Sequence, residues 1–130
     1  MTLGYTILYV PDVERTVSFY EGAFGLGRRF VHESGDYAEM ETGQTVLAFA
    51  SDELASSNFE APYRRADPDA APPPFEITLV TDDVAGAFAR ATDAGAPPLA
   101  EPSEKPWGQT VSYVRDVNGV VVEICTPVGG

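Results

Sequence analysis

The sequence predicts an α+β fold of two tandem βαβββ modules, in which curved antiparallel sheets enclose a central trough and the helices lie outside. Three observations support this. The chain repeats itself at an offset of 71 residues, each half carries a helix-period apolar face just after an aspartate, and short β-rich runs are separated by Gly-containing turns.

The offset lays Tyr5-Thr6-Ile7-Leu8-Tyr9-Val10 over Glu76-Ile77-Thr78-Leu79-Val80-Thr81, and Asp12-Val13 over Asp83-Val84. Each run is a first strand, and each aspartate can accept from the free amides of a helix's first turn. Val13, Val17, Tyr20 and Phe24 then recur at helical spacing, as do Val84, Phe88 and Ala91, with Gly25 and Gly95 as stops. The spacing predicts two helices of about three turns each.

Residues 28–33, 37–41 and 45–50 follow, punctuated by Ser34-Gly35-Asp36 and Thr42-Gly43-Gln44, and read as an antiparallel meander. The second half offers a short strand near Leu99, then residues 109–114 and 120–125 joined through Asp116-Val117-Asn118-Gly119. Residues 67–74, with four prolines, can be neither helix nor central strand and form a stiff connector. The expected division is therefore 1–66 for the first module, 67–74 for the linker and 75–130 for the second. A helix covers one face of each sheet, so the other face must close against a second sheet, and the trough between them is the natural ligand site. Residues 51–65 read as an irregular segment, either a flap or an edge.

Composition narrows the functional classes. A chain of 130 residues with 44% hydrophobic and 11% aromatic content can build one ordinary core, but no separate cofactor domain. Twenty acidic against eight basic residues give a net charge of −12. One lysine and seven scattered arginines give no footprint for a phosphate backbone, and the same charge opposes anionic membranes. No apolar run approaches the roughly 20 residues of a membrane helix, and the N-terminus lacks the pattern of an export signal. Cys125 is the only cysteine, which fits a reducing, cytoplasmic setting.

Tyr9-Val10-Pro11-Asp12-Val13, Ser18-Phe19-Tyr20-Glu21 and Phe24-Gly25-Leu26-Gly27 resemble the first module of the vicinal-oxygen-chelate superfamily, which comprises glyoxalases, bleomycin-resistance proteins and extradiol dioxygenases. Arg115-Asp116-Val117-Asn118-Gly119 through Val122-Glu123-Ile124 resembles its closing hairpin. The resemblance implies a homodimer and a small-molecule ligand. It also implies a divalent metal held by His, Gln or Glu from the first and last strands of each module. Counting from Asp12 and Asp83 puts Tyr5 and Glu76 at two of those places, and counting from Gly43 and Gly119 puts Leu47 and Glu123 at the others. Two carboxylates do not fill a metal's coordination shell, and the lone His32 lies off the pattern.

The expected ligand-binding residues are Tyr5, Leu47, Phe49, Glu76, Trp107 and Glu123, with Tyr9 beside them. Glu76 and Glu123 double as candidates for a general acid or base, because neighbouring buried carboxylates cannot both ionise cheaply. They are also the only metal-ligand candidates. Cys125 reads as a buried small residue. No phosphate loop, nucleophile elbow or Cys-x-x-Cys pair occurs. Two functions remain open. One is a binding protein for a planar or cationic small molecule, without a cofactor. The other is a lyase or isomerase resembling lactoylglutathione lyase, with one divalent ion (nickel, zinc, manganese or iron) or with a glutamate as general base.

Overall fold

Asp12 and Asp83 start the two long helices as the sequence requires. In the computed structural model, which describes residues 1–129, the Asp12 carboxylate accepts from the Arg15 amide at 3.0 Å and Asp83 from the Gly86 amide at 2.9 Å. Helix α1 (Val13–Phe24) ends at Gly25, whose left-handed φ of 69° lets its amide reach the Glu21 carbonyl at 3.0 Å. The equivalent helix is Val84–Asp93.

The chain forms two compact units, Met1–Ala66 and a second beginning at Asp67. The first runs β1 (Tyr5–Val10), α1, β2 (Arg28–Val31), β3 (Tyr37–Met40), β4 (Val46–Ser51) and α2 (Asp52–Asn58). The second runs β5 (Glu76–Val80), α3 (Val84–Asp93), β6 (Pro98–Glu104), β7 (Thr110–Arg115) and β8 (Val121–Cys125). Each sheet has four strands, ordered β1-β4-β3-β2 and β5-β8-β7-β6. The outer strands pair antiparallel, while the first strand of each module pairs parallel with its last. The strand near Leu99 extends to seven residues, with two register shifts against β7.

One face of each sheet carries its helix. In the first unit Val13, Val17, Tyr20 and Ala23 of α1 are buried together with Leu8, Val10, Ala38, Met40, Leu47 and Phe49, and the Tyr20 and Phe49 rings lie 4.9 Å apart. Each such aliphatic or aromatic side chain contributes about 1.5–3 kcal/mol on burial. In the second unit Val84 and Ala91 of α3 are buried with Val114, Val122 and Ile124, and the buried Ser112 hydroxyl donates to the Ile124 carbonyl at 2.8 Å.

The helix α2 was not evident in the sequence. Ser51 caps it, its hydroxyl accepting from the Leu54 amide at 3.0 Å, and the buried Asp52 accepts from the Tyr63 hydroxyl and pairs with Arg65 at 3.4 Å. Residues 51–65 thus form a tied edge. Among the described residues, no helix is long and apolar enough to cross a membrane.

The closing hairpin also anchors the proline-rich segment. The Asp116 carboxylate accepts from the Asn118 and Val120 amides at 2.8 and 2.9 Å, and the Arg115 guanidinium donates to the Gly119 and Ala70 carbonyls. Gly119 has a φ of 91°, and a Cβ there would sit 2.9 Å from the Pro68 Cα. We expect Gly119→Ala to cost about 1–3 kcal/mol in urea unfolding, from left-handed strain plus the clash. Gly35→Ala has a φ of 76° and open space, so it should cost distinctly less. Equal losses would mean that the Pro68 contact is unimportant.

Candidate functional site

Neighbours in a parallel ladder point to the same side of a sheet, so the register identifies the face left open by each helix. In the second unit Glu76, Thr78 and Val80 of β5 share that face with Val121, Glu123 and Cys125 of β8, and Val111, Tyr113 and Arg115 of β7 join them. In the first, Tyr5, Ile7 and Tyr9 share it with Val46, Ala48 and Ala50, joined by Tyr37 and Glu39 of β3 and by Phe30 of β2.

Two expected placements are corrected here. Leu47 pairs with Thr6 and Phe49 with Leu8, so both point to the α1 side; Phe49 packs on Tyr20 and is fully buried. The cause is one residue of loop. The strand after Gly43 begins at Val46, whereas the strand after Gly119 begins at Val121. The counts from the two glycines are therefore out of phase by one, and a one-residue slip reverses every side chain. The structural equivalent of Glu123 is Ala48.

Glu76 and Glu123 do come together. Thr78, two residues after Glu76 on β5, pairs with Glu123, so the two glutamates stand diagonally on adjacent strands; Tyr113 pairs with Glu123 from the other side, and the Thr78 hydroxyl donates to Glu76 at 2.7 Å. They are not the two buried carboxyls expected, since Glu76 is exposed at the strand's start and Glu123 is half-buried. Burial raises the pKa of Glu123, the hydrogen bond and negative charge of Glu76 raise it further, and the donors Cys125 and Tyr113 pull it back, leaving it at about 7. Glu123 therefore stays largely protonated up to about neutrality. Burial, then the Glu123 charge, raises the Cys125 thiol, which keeps it protonated and argues against a nucleophilic role. Tyr113 is raised by burial and by both carboxylates.

The first unit answers with aromatic rings. Tyr9 stacks at a tilt on Tyr63 at 5.1 Å and on Phe59 at 6.4 Å, and Phe30 lies 6.1 Å from Tyr37. Tyr5, Ile7 and Tyr9 remain substantially exposed. The Tyr37 hydroxyl donates to the buried Glu39 at 2.9 Å; burial, then that bond, pushes its pKa up to about 12. Arg29 supplies Glu39 with a cation at 3.7 Å. Tyr37, Glu39 and Tyr113 were missed in the sequence, although their alternation on β3 and β7 was the available signal.

Trp107 is exposed on the loop before β7, its indole N–H held by the Gln109 side chain at 2.9 Å. His32 is exposed and bound up in its own turn, its Nδ1 2.8 Å from the Ser34 hydroxyl. Among the described residues no group of three or more His, Cys, Asp or Glu side chains is placed to hold a metal ion. Two carboxyl groups, one of them protonated up to about neutrality, do not make the donor set a divalent ion needs.

The protonated Glu123 has a measurable consequence. Between the ordinary glutamate value of 4.5 and about 7 the folded state binds more protons than the unfolded chain, so stability should fall as pH rises through that window. Glu123→Gln should flatten the fall, and Glu76→Gln should lower the Glu123 titration seen by carbon-13 NMR. Thermal unfolding from pH 4 to pH 8 with equal slopes for wild type and Glu123→Gln would remove Glu123 as the source.

Comparison with known proteins agrees with this architecture. A family model described as the Glyoxalase/Bleomycin resistance protein/Dioxygenase superfamily matches residues 2–124. No curated protein matches the chain. Among solved structures, a glyoxalase-related enzyme from Fulvimarina pelagi is similar with a TM-score of 0.82 at 20% identity, covering 98% of this chain and 88% of that one. A protein of unknown function from Agrobacterium tumefaciens str. C58 gives 0.79 at 22% identity, covering 98% and 95%. A glyoxalase/bleomycin resistance protein/dioxygenase from Nocardioides gives 0.75 at 21%, covering 100% and 85%. At these identities the structures speak for the fold alone, but the family model spans nearly the whole sequence. The chain belongs to the glyoxalase/bleomycin resistance protein/dioxygenase superfamily.

Proposed function

We propose that this protein binds a small planar or cationic molecule on the open faces of its sheets without a resident metal. The observation that carries the reading is the juxtaposition of Glu76 and Glu123 on adjacent strands of one open face, with Tyr113 beside Glu123. Such a pair can accept from an ammonium or amidine group, and ionises fully when a cation arrives. The exposed rings of Tyr5 and Tyr9 supply stacking area in the first unit. The free, buried Cys125 suits a reducing, cytoplasmic setting. The exposed Tyr5, Ile7 and Val80 also favour a homodimer, in which a second copy covers apolar area.

A second reading is favoured by the same carboxyl. A glutamate poised at about 7 can take a proton from carbon beside a carbonyl and return it to the neighbouring carbon, which is lyase or isomerase chemistry of the glyoxalase kind.

Thermal shift with planar cations, their neutral analogues and divalent metals separates the readings. We expect stabilisation by a cationic compound, growing with concentration by the linkage relation and reaching about 2.7 kcal/mol at a hundredfold excess over Kd. Glu123→Gln and Glu76→Gln should weaken that binding by about tenfold each, from a lost charge-assisted contact. Metal-dependent stabilisation abolished by the same substitutions would overturn the metal-free reading. Deuterium uptake from solvent into a hydroxy-ketone or thiohemiacetal, lost in Glu123→Gln, would establish the catalytic one.

A further inference from the structure

A cavity of about 650 Å³ opens at the end of the second sheet, where β5 and β8 finish, lined by Asp82, Trp107, Gly108, Thr126, Pro127 and Gly129. Its volume falls in the range of small-molecule sites. Nothing in the carboxyl-pair site requires it.

Two features make it more than a gap between loops. Trp107 is 61% exposed, yet its orientation is fixed: the indole N–H donates to Gln109 Oε1 at 2.9 Å, and Gln109 Nε2 donates to the Thr126 carbonyl at 2.9 Å. Gln109 itself is buried. The indole's one polar atom is satisfied internally, so the exposed remainder of this ring, which lines the cavity, is apolar π surface held in place by the fold. The second feature is Asp82. It is exposed, and among the described residues its carboxylate has neither a hydrogen bond nor an ion pair, since Asp83 rather than Asp82 caps α3.

A fixed indole face and an unneutralised carboxylate lining one cavity form a complementary pair for one class of ligand. A compact organic cation gains from the ring quadrupole and from the counter-charge together. Methylated ammonium groups suit this best, because they are weakly hydrated and lose little on leaving water, whereas metal ions and ammonium do not. The surrounding field agrees: from Asp67 onward the chain has ten acidic and three basic residues. We infer that the Trp107–Asp82 cavity is a binding site for a quaternary or methylated ammonium group, distinct from the Glu76–Glu123 pair.

Trp107 is the only tryptophan, so the intrinsic fluorescence of the full chain reads this site directly. Choline would be titrated at constant ionic strength against sodium chloride and against 3,3-dimethylbutan-1-ol, its neutral isostere. We expect a saturable change in Trp107 emission with choline and an affinity about tenfold weaker for the alcohol, the discrimination a cation–π contact with a counter-charge gives. Asp82→Asn, at an exposed position that caps nothing, should weaken choline by about five- to tenfold. Glu123→Gln should weaken choline less than Asp82→Asn does, because Glu123 reaches Trp107 only through Cys125 and Gln109. An unsaturable response, equal binding of the alcohol, or an unchanged affinity in Asp82→Asn would each overturn the assignment. Loss of choline binding in Glu123→Gln with Asp82→Asn unaffected would move the cation to the carboxyl pair.

Discussion

Everything functional in this chain depends on the parallel pairing of the first strand of each module with its last. That ladder fixes which residues share a face, and the helix that follows the first strand then chooses the face it covers. Tyr20 meets Phe49 because Leu8 and Phe49 are register partners on the α1 side. Glu76 meets Glu123 because Glu76 and Thr78, alternate residues of β5, pair with Val121 and Glu123 of β8. A slip of β8 by one residue would turn Glu123 under α3 and expose Val122 and Ile124, at a cost of several kcal/mol for a buried unpaired acid. The core therefore holds the register, and the register holds the site.

The two units answer the same electrostatic difficulty differently. Each places a glutamate on its open face, Glu39 buried and Glu123 half-buried. Glu39, 8% exposed, has the Arg29 guanidinium at 3.7 Å and the Tyr37 hydroxyl at 2.9 Å. Among the described residues Glu123 forms no ion pair; its neighbours are another carboxyl, a phenol and a thiol. The first solution is electrostatically closed. The second is open, because the proton it retains can be displaced by an arriving positive charge, and an unsatisfied acid is a binding or catalytic resource where a paired one is not.

Much of this was legible in the sequence, for reasons that can be named. The repeat, the Asp caps at 12 and 83 and the glycine stops are local, and local signals survive translation into structure. The meeting of Glu76 with Glu123 was also legible, because both strands are short, regular and in phase. Leu47 and Phe49 were misplaced because a turn glycine fixes phase only when its distance to the strand is known, and β4 starts three residues after Gly43 whereas β8 starts two after Gly119. Helix α2 stayed hidden because seven residues with Ser, Ser and Asn carry little helical propensity. What holds it is the capping Ser51 and the tertiary ties of Asp52 to Tyr63 and Arg65, and no periodicity records those. The setting of Trp107 was equally invisible, since it depends on Gln109 reaching across to Thr126.

The duplicated plan shows where a chain of this kind is free to change. The residues that keep their type at equivalent places are the ones that build backbone: the aspartates at 12 and 83, the valines at 13 and 84 that begin each buried helix face, and the positive-φ glycines at 25 and 95. The residues that differ lie on the open faces, where Tyr5 stands opposite Glu76 in the repeat and Ala48 opposite Glu123. Tyr5 and Glu76 are exposed and Glu123 is half-buried, so replacement there alters mainly what the face can bind, whereas the fully buried Ala48 leaves room for nothing larger. Fold and chemistry are thus carried by different side chains of the same strands, alternating residue by residue. For that reason the family fold sets where a ligand can sit on each unit, and the identity of the ligand has to be read from the acids and rings that the second phase of each strand presents.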